Sequence, residues 1–334
     1  MQLPELLFAP FKGLTDRPYR NALARHFGGY DAMYAPFISG VGQERINPSK
    51  LVDLVPIEKN IAPTIPQFIT TDAREMILFG KTFEQYGYDH INWNLGCPFS
   101  RIANKKRGCG MLPYPDELNK ILNEVFREFP VKLSIKTRLG YYKPYEIFKV
   151  LDVLNQYPIH LLIIHARIGT QIYSGEVNLE GFKACLSASK HPLAYNGDIF
   201  HVARFREMQS LFPEVSTWML GRSALINPFL PLEIRGIMLD DTEKRKRLEA
   251  FVTEIFREGK MTIENPARQL GYMKAVWYYL SGLFENPVMV FSKIKTTKTL
   301  TEYQQIVSNT LEQPFNSVAG IEEYLRTGVK HIGV

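Results

Sequence analysis

The chain has 334 residues, 45% hydrophobic and 22% charged, with a formal charge of +6 and three cysteines. Its longest apolar runs, such as "LLII" at 161–164, are too short to cross a bilayer. The sparse, odd cysteine set at 97, 109 and 185 excludes a disulfide framework and fits a reducing compartment.

"MQLPELLFAP" has neither the basic start nor the long apolar stretch of a secretory signal, so the expected location is cytoplasmic, with no membrane association. The modest positive charge fits a polyanionic partner without demanding one. In chain order, short β-rich apolar runs recur at 6–11, 31–37, 62–69, 90–96, 131–139, 161–167, 192–198 and 217–223. Helical periodicity fills most of the gaps. In "PDELNKILNEVFREF", Leu118, Ile121, Leu122, Val125 and Phe129 share one face behind the acidic start Asp116 and Glu117. "PYEIFKVLDVLNQY" has the same character.

Strand then helix, eight times in about 230 residues, is the pattern of an α/β (β/α)8 TIM barrel. A doubly wound open sheet ranks lower, because no dinucleotide fingerprint follows the first strand. Near residue 238 the texture changes to charged, helical sequence with no further strand. In "RQLGYMKAVWYYLSGLF", Leu270, Met273, Val276, Trp277, Leu280 and Phe284 fall at helical spacing. Two further helices are expected near 288–297 and 299–312. The expected organisation is a barrel over 1–239 followed by a small all-helical C-terminal domain over 240–334.

Active sites of such barrels lie at the carboxyl ends of the strands. Here those ends carry Gln67, Asn94, Cys97, Lys136, Arg138, His165, Arg167, Asn196, Gly197, Asp198, Gly221 and Arg222. Glycines in "NGDI" and "GRSALINP" suit a phosphate held after the seventh and eighth strands, and Arg222 offers it a bidentate contact. A lysine inside a barrel is costly unless it meets an anion or a polar ligand. Lys136, His165 and Gln67 would line a cavity suited to an oxygen- and nitrogen-rich ring. Taken alone, His165 is more often a structural histidine, and Lys136 could be a rim residue.

Cys97 has three readings: a buried structural thiol, a weakly supported zinc ligand lacking any Cys-x-x-Cys partner, or an acid or nucleophile at a strand end. No metal site is expected. The basic run "SRIANKKRG", with Lys105 and Lys106, is ordinarily a solvated loop. Its closeness to Cys97 makes these lysines candidates for phosphodiester contact.

These segments resemble the tRNA-dihydrouridine synthase family over most of the chain. "LFAPFKGLTDRPYR" resembles its "APM-x-G-x-TD-x-P-x-R" opening, "INWNLGCPFSRIANKKRGCGMLP" its "N-x-GCP" signature, and "LSIKTRLG" its "K-x-R-x-G" strand. "IIHARIGTQIYSG", "AYNGDI" and "MLGRSALINPFL" are similar to its "HGR", "NGDI" and "GR-x-A-x-NP" blocks. The resemblance implies an FMN enzyme that reduces uridines of tRNA to 5,6-dihydrouridine with NADPH as reductant. It implies that Pro10, Phe11 and Lys12 border the flavin, that Gln67 and Lys136 contact its ring with His165 close by, and that Asn196, Gly197, Asp198, Gly221 and Arg222 hold its phosphate end. Asn94 would face the target base, with Arg138 also on the substrate side, and Cys97 would be the proton donor. The helical tail is similar in kind to the family's tRNA-binding domain, and a monomer is expected. This chain departs from the family pattern in having Lys12 where a small or acidic residue is frequent, and Cys109 where serine is usual. Two other readings remain at this point: an FMN barrel acting on a free pyrimidine, as in dihydroorotate-type oxidoreductases, and a non-catalytic tRNA-binding protein.

Overall fold

A computed structural model describes residues 3–328 except 41, 43 and 264, with the side chains of 260 and 262 also left aside. The last six positions of the expected helical region therefore lie outside the described residues. Nine all-parallel segments pair side by side: β1 Glu5–Phe8, β2 Ala32–Tyr34, β3 Thr64–Ile65, β4 Gln67–Phe68, β5 His90–Leu95, β6 Lys132–Gly140, β7 Leu161–Ile168, β8 Leu193–Asn196 and β9 Thr217–Leu220. Their order is β3-β2-β1-β9-β8-β7-β6-β5-β4.

The two ends of that order are halves of one strand. Only Pro66, which has no N–H to give, separates β3 from β4. The stretch pairs on both sides. Ala35 N donates to Ile65 O and Ile38 N to Gln67 O on one flank, and Asn92 N donates to Pro66 O on the other. Nine segments minus this one interruption leave eight strands, and the barrel closes through residues 64–68. On the opposite side β1 pairs with β9 from Glu5↔Thr217 to Phe8↔Leu220. The expected (β/α)8 barrel is thus the observed one.

Strands of a parallel barrel are buried on both faces, by neighbouring layers inside and helices outside. This explains their near-continuous apolar sequence, and Trp93, Trp218, Tyr34 and Tyr195 are fully buried. Helix Pro115–Val125 buries Leu118, Leu122 and Val125, and it begins on Asp116 and Glu117 as its sequence predicts. Acidic side chains there complement the partial positive charge of the helix start.

After the last strand the chain is helical: Asp241–Thr262, Pro266–Leu280, Pro287–Thr296, Leu300–Leu311 and Val318–Glu323. Leu270, Met273, Val276, Trp277, Leu280 and Phe284 are buried, as their spacing requires. These helices dock directly on the barrel loops. Glu254 accepts from Arg25 and pairs with His26. The Tyr272 hydroxyl donates to Leu14 O at 3.2 Å and to Asp16 Oδ1 at 3.1 Å. Arg222, at the end of the barrel, donates to Leu325 O at 3.4 Å. No helix among the described residues is long and apolar enough to cross a membrane.

Candidate active site

A cavity of about 320 Å³ opens at the carboxyl ends of the strands. A volume of this order suits a small-molecule ligand. Its walls include Pro10, Phe11, Lys12, Gln67, Asn94, Cys97, Lys136, Arg138, His165, Asn196, Gly197, Asp198, Gly221 and Arg222. These residues come from seven different parts of the chain, and strand alternation aims Gln67, Asn94, Lys136, Arg138, His165 and Asn196 inward.

Around Cys97 the geometry is set by an oriented chain of amides. Asn94 Oδ1 accepts from the backbone N–H of Gly96 (3.0 Å) and of Cys97 (2.9 Å). Its Nδ2 must therefore donate, and it does so to Gln67 Oε1 at 2.8 Å. Gln67 Nε2 in turn donates to Asn92 Oδ1 at 2.7 Å, and Asn92 Nδ2 to Ser134 Oγ at 2.8 Å. The Cys97 carbonyl accepts from Cys109 N at 3.2 Å and from Cys109 Sγ at 3.3 Å. Gly108 between them has φ +58°, and a Cβ there would stand 2.5 Å from the Cys97 carbonyl oxygen. Only glycine fits. Cys97 is thereby held at the cavity wall, 7% exposed, and burial pushes its thiol above its ordinary pKa. Cys109 and Cys185 are buried too, both pushed up to about 12 by burial. All three thiols are free.

The neighbouring strand begins a cluster of cations, with Lys136 in register beside Asn94. Lys136 donates to Asn196 Oδ1 at 3.0 Å, and Asn196 Nδ2 donates to Met219 O at 2.8 Å. Burial, then the neighbouring Arg138 charge, brings the Lys136 ammonium down to about 7. Arg138 ties three loops together through Gly96 O (2.9 Å), Ile168 O (3.0 Å) and Ile172 O (2.8 Å). Ile172 sits at φ +54°, an unfavourable region for a β-branched residue, and the Arg138 bond helps to hold it there. Burial and the charges of Arg138, Lys136, Arg167 and Arg222 keep His165 well below its ordinary pKa, so its imidazole is neutral.

Asp198 ties the far end together. It accepts from Arg167 Nη1 at 2.8 Å and Nη2 at 2.5 Å, and from Arg222 Nη2 at 3.2 Å. Gly197, at φ +141°, makes the turn that a side chain would resist. At Gly221, by contrast, an added Cβ would meet only ordinary contacts at 3.8–3.9 Å, so that glycine is not demanded by crowding. Arg222 lies 4.4 Å from the Tyr173 ring centroid, a cation–π distance.

Lys105 and Lys106 are not in the cavity wall. Lys105 is exposed, and Lys106 is paired with Glu117 at 2.5 Å, above the Tyr114 ring. Residues that sequence reasoning did not place in the site are Arg101, Tyr173, Ala275 and Tyr279. Ala275 and Tyr279 form an i, i+4 pair off the apolar face of their helix, the one signal that could have marked them. Among the described residues, no cluster of three His, Cys, Asp or Glu side chains could hold a metal.

A model of the dihydrouridine synthase (Dus) family matches residues 7–319. The chain belongs to this family. It is 27% identical over 297 residues to tRNA-dihydrouridine synthase B of Pasteurella multocida, covering 86% of this chain and 87% of that relative. It is 25% identical over 333 residues to tRNA-dihydrouridine(16) synthase of Neisseria meningitidis, covering 94% and 97%. A family member is a tRNA-dihydrouridine synthase type of enzyme, so the chain is an enzyme rather than a bare scaffold. Among solved structures it resembles a morphinone reductase variant with a TM-score of 0.51 at 10% identity, covering 72% of this chain and 89% of that one. That likeness concerns the barrel fold alone.

Proposed function

We propose that this family member reduces uridine in tRNA to 5,6-dihydrouridine, using FMN in the barrel mouth and NADPH as the electron source. The observation that carries this reading is the convergence, on one cavity, of a protonated thiol and an excess of buried positive charge. Five cationic side chains, Lys12, Arg101, Lys136, Arg138 and Arg222, line the cavity with Asp198 as its only carboxylate. Lys12 and Arg101 are exposed at its rim, but Lys136, Arg138 and Arg222 are largely removed from water, and desolvated cations call for an anionic ligand. A flavin mononucleotide supplies both the anion and a ring rich in hydrogen-bonding atoms. The names of the relatives supply the substrate class.

In this reading Pro10, Phe11 and Lys12 border the flavin, Gln67, Lys136 and His165 meet its ring, and Asn196, Gly197, Gly221 and Arg222 hold its phosphate end. Asp198 acts behind them, fixing Arg167 and Arg222 rather than meeting a phosphate with its own charge. When bound and reduced, FMN supplies hydride to carbon 6 of uracil.

The chain's own task is then to deliver a proton to carbon 5. Cys97 holds that proton at neutral pH, because burial raises its pKa, and it lies on the cavity wall. Asn94 contributes its remaining N–H to a base carbonyl, while Arg138 keeps the β5, β6 and β7 loops in register beneath the substrate. Residues 240–334 serve as the tRNA-binding domain on the 1–239 catalytic barrel. The target base has to leave its stack to enter, at a cost of a few kcal/mol, about what a handful of phosphate contacts recovers. Lys105 belongs among those contacts, and Lys106 joins them only by exchanging Glu117 for phosphate.

The test is direct. The purified chain carries yellow flavin and forms dihydrouridine in tRNA taken from a strain lacking the gene. Turnover of free uracil or orotate without tRNA would replace the substrate by a free pyrimidine, and tRNA binding without flavin or turnover would remove the reaction altogether.

A further inference from the structure

We propose that Tyr279, from the C-terminal helices, donates its hydroxyl to the cofactor phosphate at the Arg222 end of the cavity. This rests on the FMN reading above. Tyr279 lies in the last turn of helix Pro266–Leu280 and lines the cavity, although it belongs to the region assigned to RNA. The residue is 5% exposed. A phenol hydroxyl at a cavity wall is a donor that a ligand there can engage in place of water.

Its neighbours specify the ligand. The Tyr279 ring lies 6.1 Å from that of Phe11. Phe11 in turn stands beside Gly221, 3.8 Å from where a Cβ on that glycine would be. The next residue is Arg222, whose guanidinium is fixed by Asp198 and by Leu325 O. Arg222 and Tyr279 are both hydrogen-bond donors here, and the single carboxylate nearby is already taken by two arginines. A phosphate, rich in acceptors and without donors, satisfies both groups at once. Burial raises the Tyr279 pKa, so the hydroxyl stays neutral and keeps its proton for donation. The helical region therefore completes the cofactor site as well as covering the barrel.

The experiment uses the full chain freed of flavin and titrated with FMN and with riboflavin, which lacks the phosphate, following flavin fluorescence. Tyr279→Phe keeps the ring and its packing. It is expected to weaken FMN binding about 10-fold, as for the loss of a hydrogen bond to a charged group, and to leave riboflavin binding unchanged. Tyr278→Phe, on the same helix but outside the cavity wall, should change neither. Equal loss of FMN and riboflavin, or unchanged FMN affinity with a raised KM for tRNA, would overturn the assignment while leaving the proposed reaction intact. A wild-type chain that binds neither flavin would overturn both.

Discussion

The buried ammonium of Lys136 makes a measurable demand on stability. In the folded, flavin-free chain its pKa is about 7, against 10.5 for an ordinary lysine. The unfolded chain therefore holds one more proton than the folded chain at pH values between these two, and stability must rise with pH across that interval. Between pH 7 and 8.5 the proton difference grows from one half to nearly one, and its integral is worth about 1.6 kcal/mol. For a chain of this size that corresponds to roughly 3 °C in the unfolding midpoint. The interval is chosen with care. His165, also depressed, contributes a rise that is nearly complete by pH 7, whereas the three raised thiols lower stability as unfolded cysteines begin to ionise within the interval, so the Lys136 contribution is read as the difference between wild type and a variant that keeps the thiols. Lys136→Met keeps the length of the stem and removes the charge. Its apoprotein should unfold above wild type at pH 7, and this margin should shrink by the Lys136 contribution between pH 7 and pH 8.5. Thermal unfolding in matched buffers measures this. A margin between Lys136→Met and wild type that stays constant or grows over the interval would refute the assignment of a desolvated, uncompensated lysine.

Other outcomes follow from the same geometry. Cys97→Ala should keep its flavin and lose 10²-fold or more of dihydrouridine formation in single-turnover assays, the ordinary weight of a positioned acid. Gly108→Ala forces a Cβ against the Cys97 carbonyl in a left-handed backbone, and should lower both the unfolding midpoint and turnover. Lys12 donates to Phe37 O at the cavity rim, and burial lowers its pKa. Lys12→Ala should weaken FMN binding several-fold, measured by fluorescence titration of the flavin-free chain.

The barrel was legible because each strand is a short apolar run bounded by polar or glycine-containing turns, and because the strand ends carry residues too polar for a core. The interruption at Pro66 was not anticipated. A proline within a strand counts against pairing there, yet the carbonyls on each side still accept from both neighbours. Lys136 and His165 could be placed by strand alternation alone, whereas Cys97 follows its strand and is set by the turn that Asn94 holds. Lys106 could not, because its partner Glu117 lies on the following helix and no local pattern joins them. Tyr279 was hidden for a different reason: its helix was read for the face that builds the tail's own core, while this side chain leaves by another face to join the barrel. The role of Asp198 also needed coordinates. "NGDI" suggests a phosphate loop, but only the two arginines show that its carboxylate is occupied by them.

The relay from Asn94 through Gln67 and Asn92 to Ser134 can run in one sense only, since its first oxygen is claimed by two main-chain N–H groups. No amide in it can turn over without stranding a peptide hydrogen. Asn94 therefore greets any visitor as a giver of hydrogen, never a taker. A pyrimidine that offers a carbonyl to it is accommodated, and one that offers an exocyclic amine meets hydrogen against hydrogen. In the proposed function, with Asn94 facing the base, the discrimination between uracil and cytosine would thus begin in the peptide groups of residues 96 and 97, before any side chain has been asked to choose.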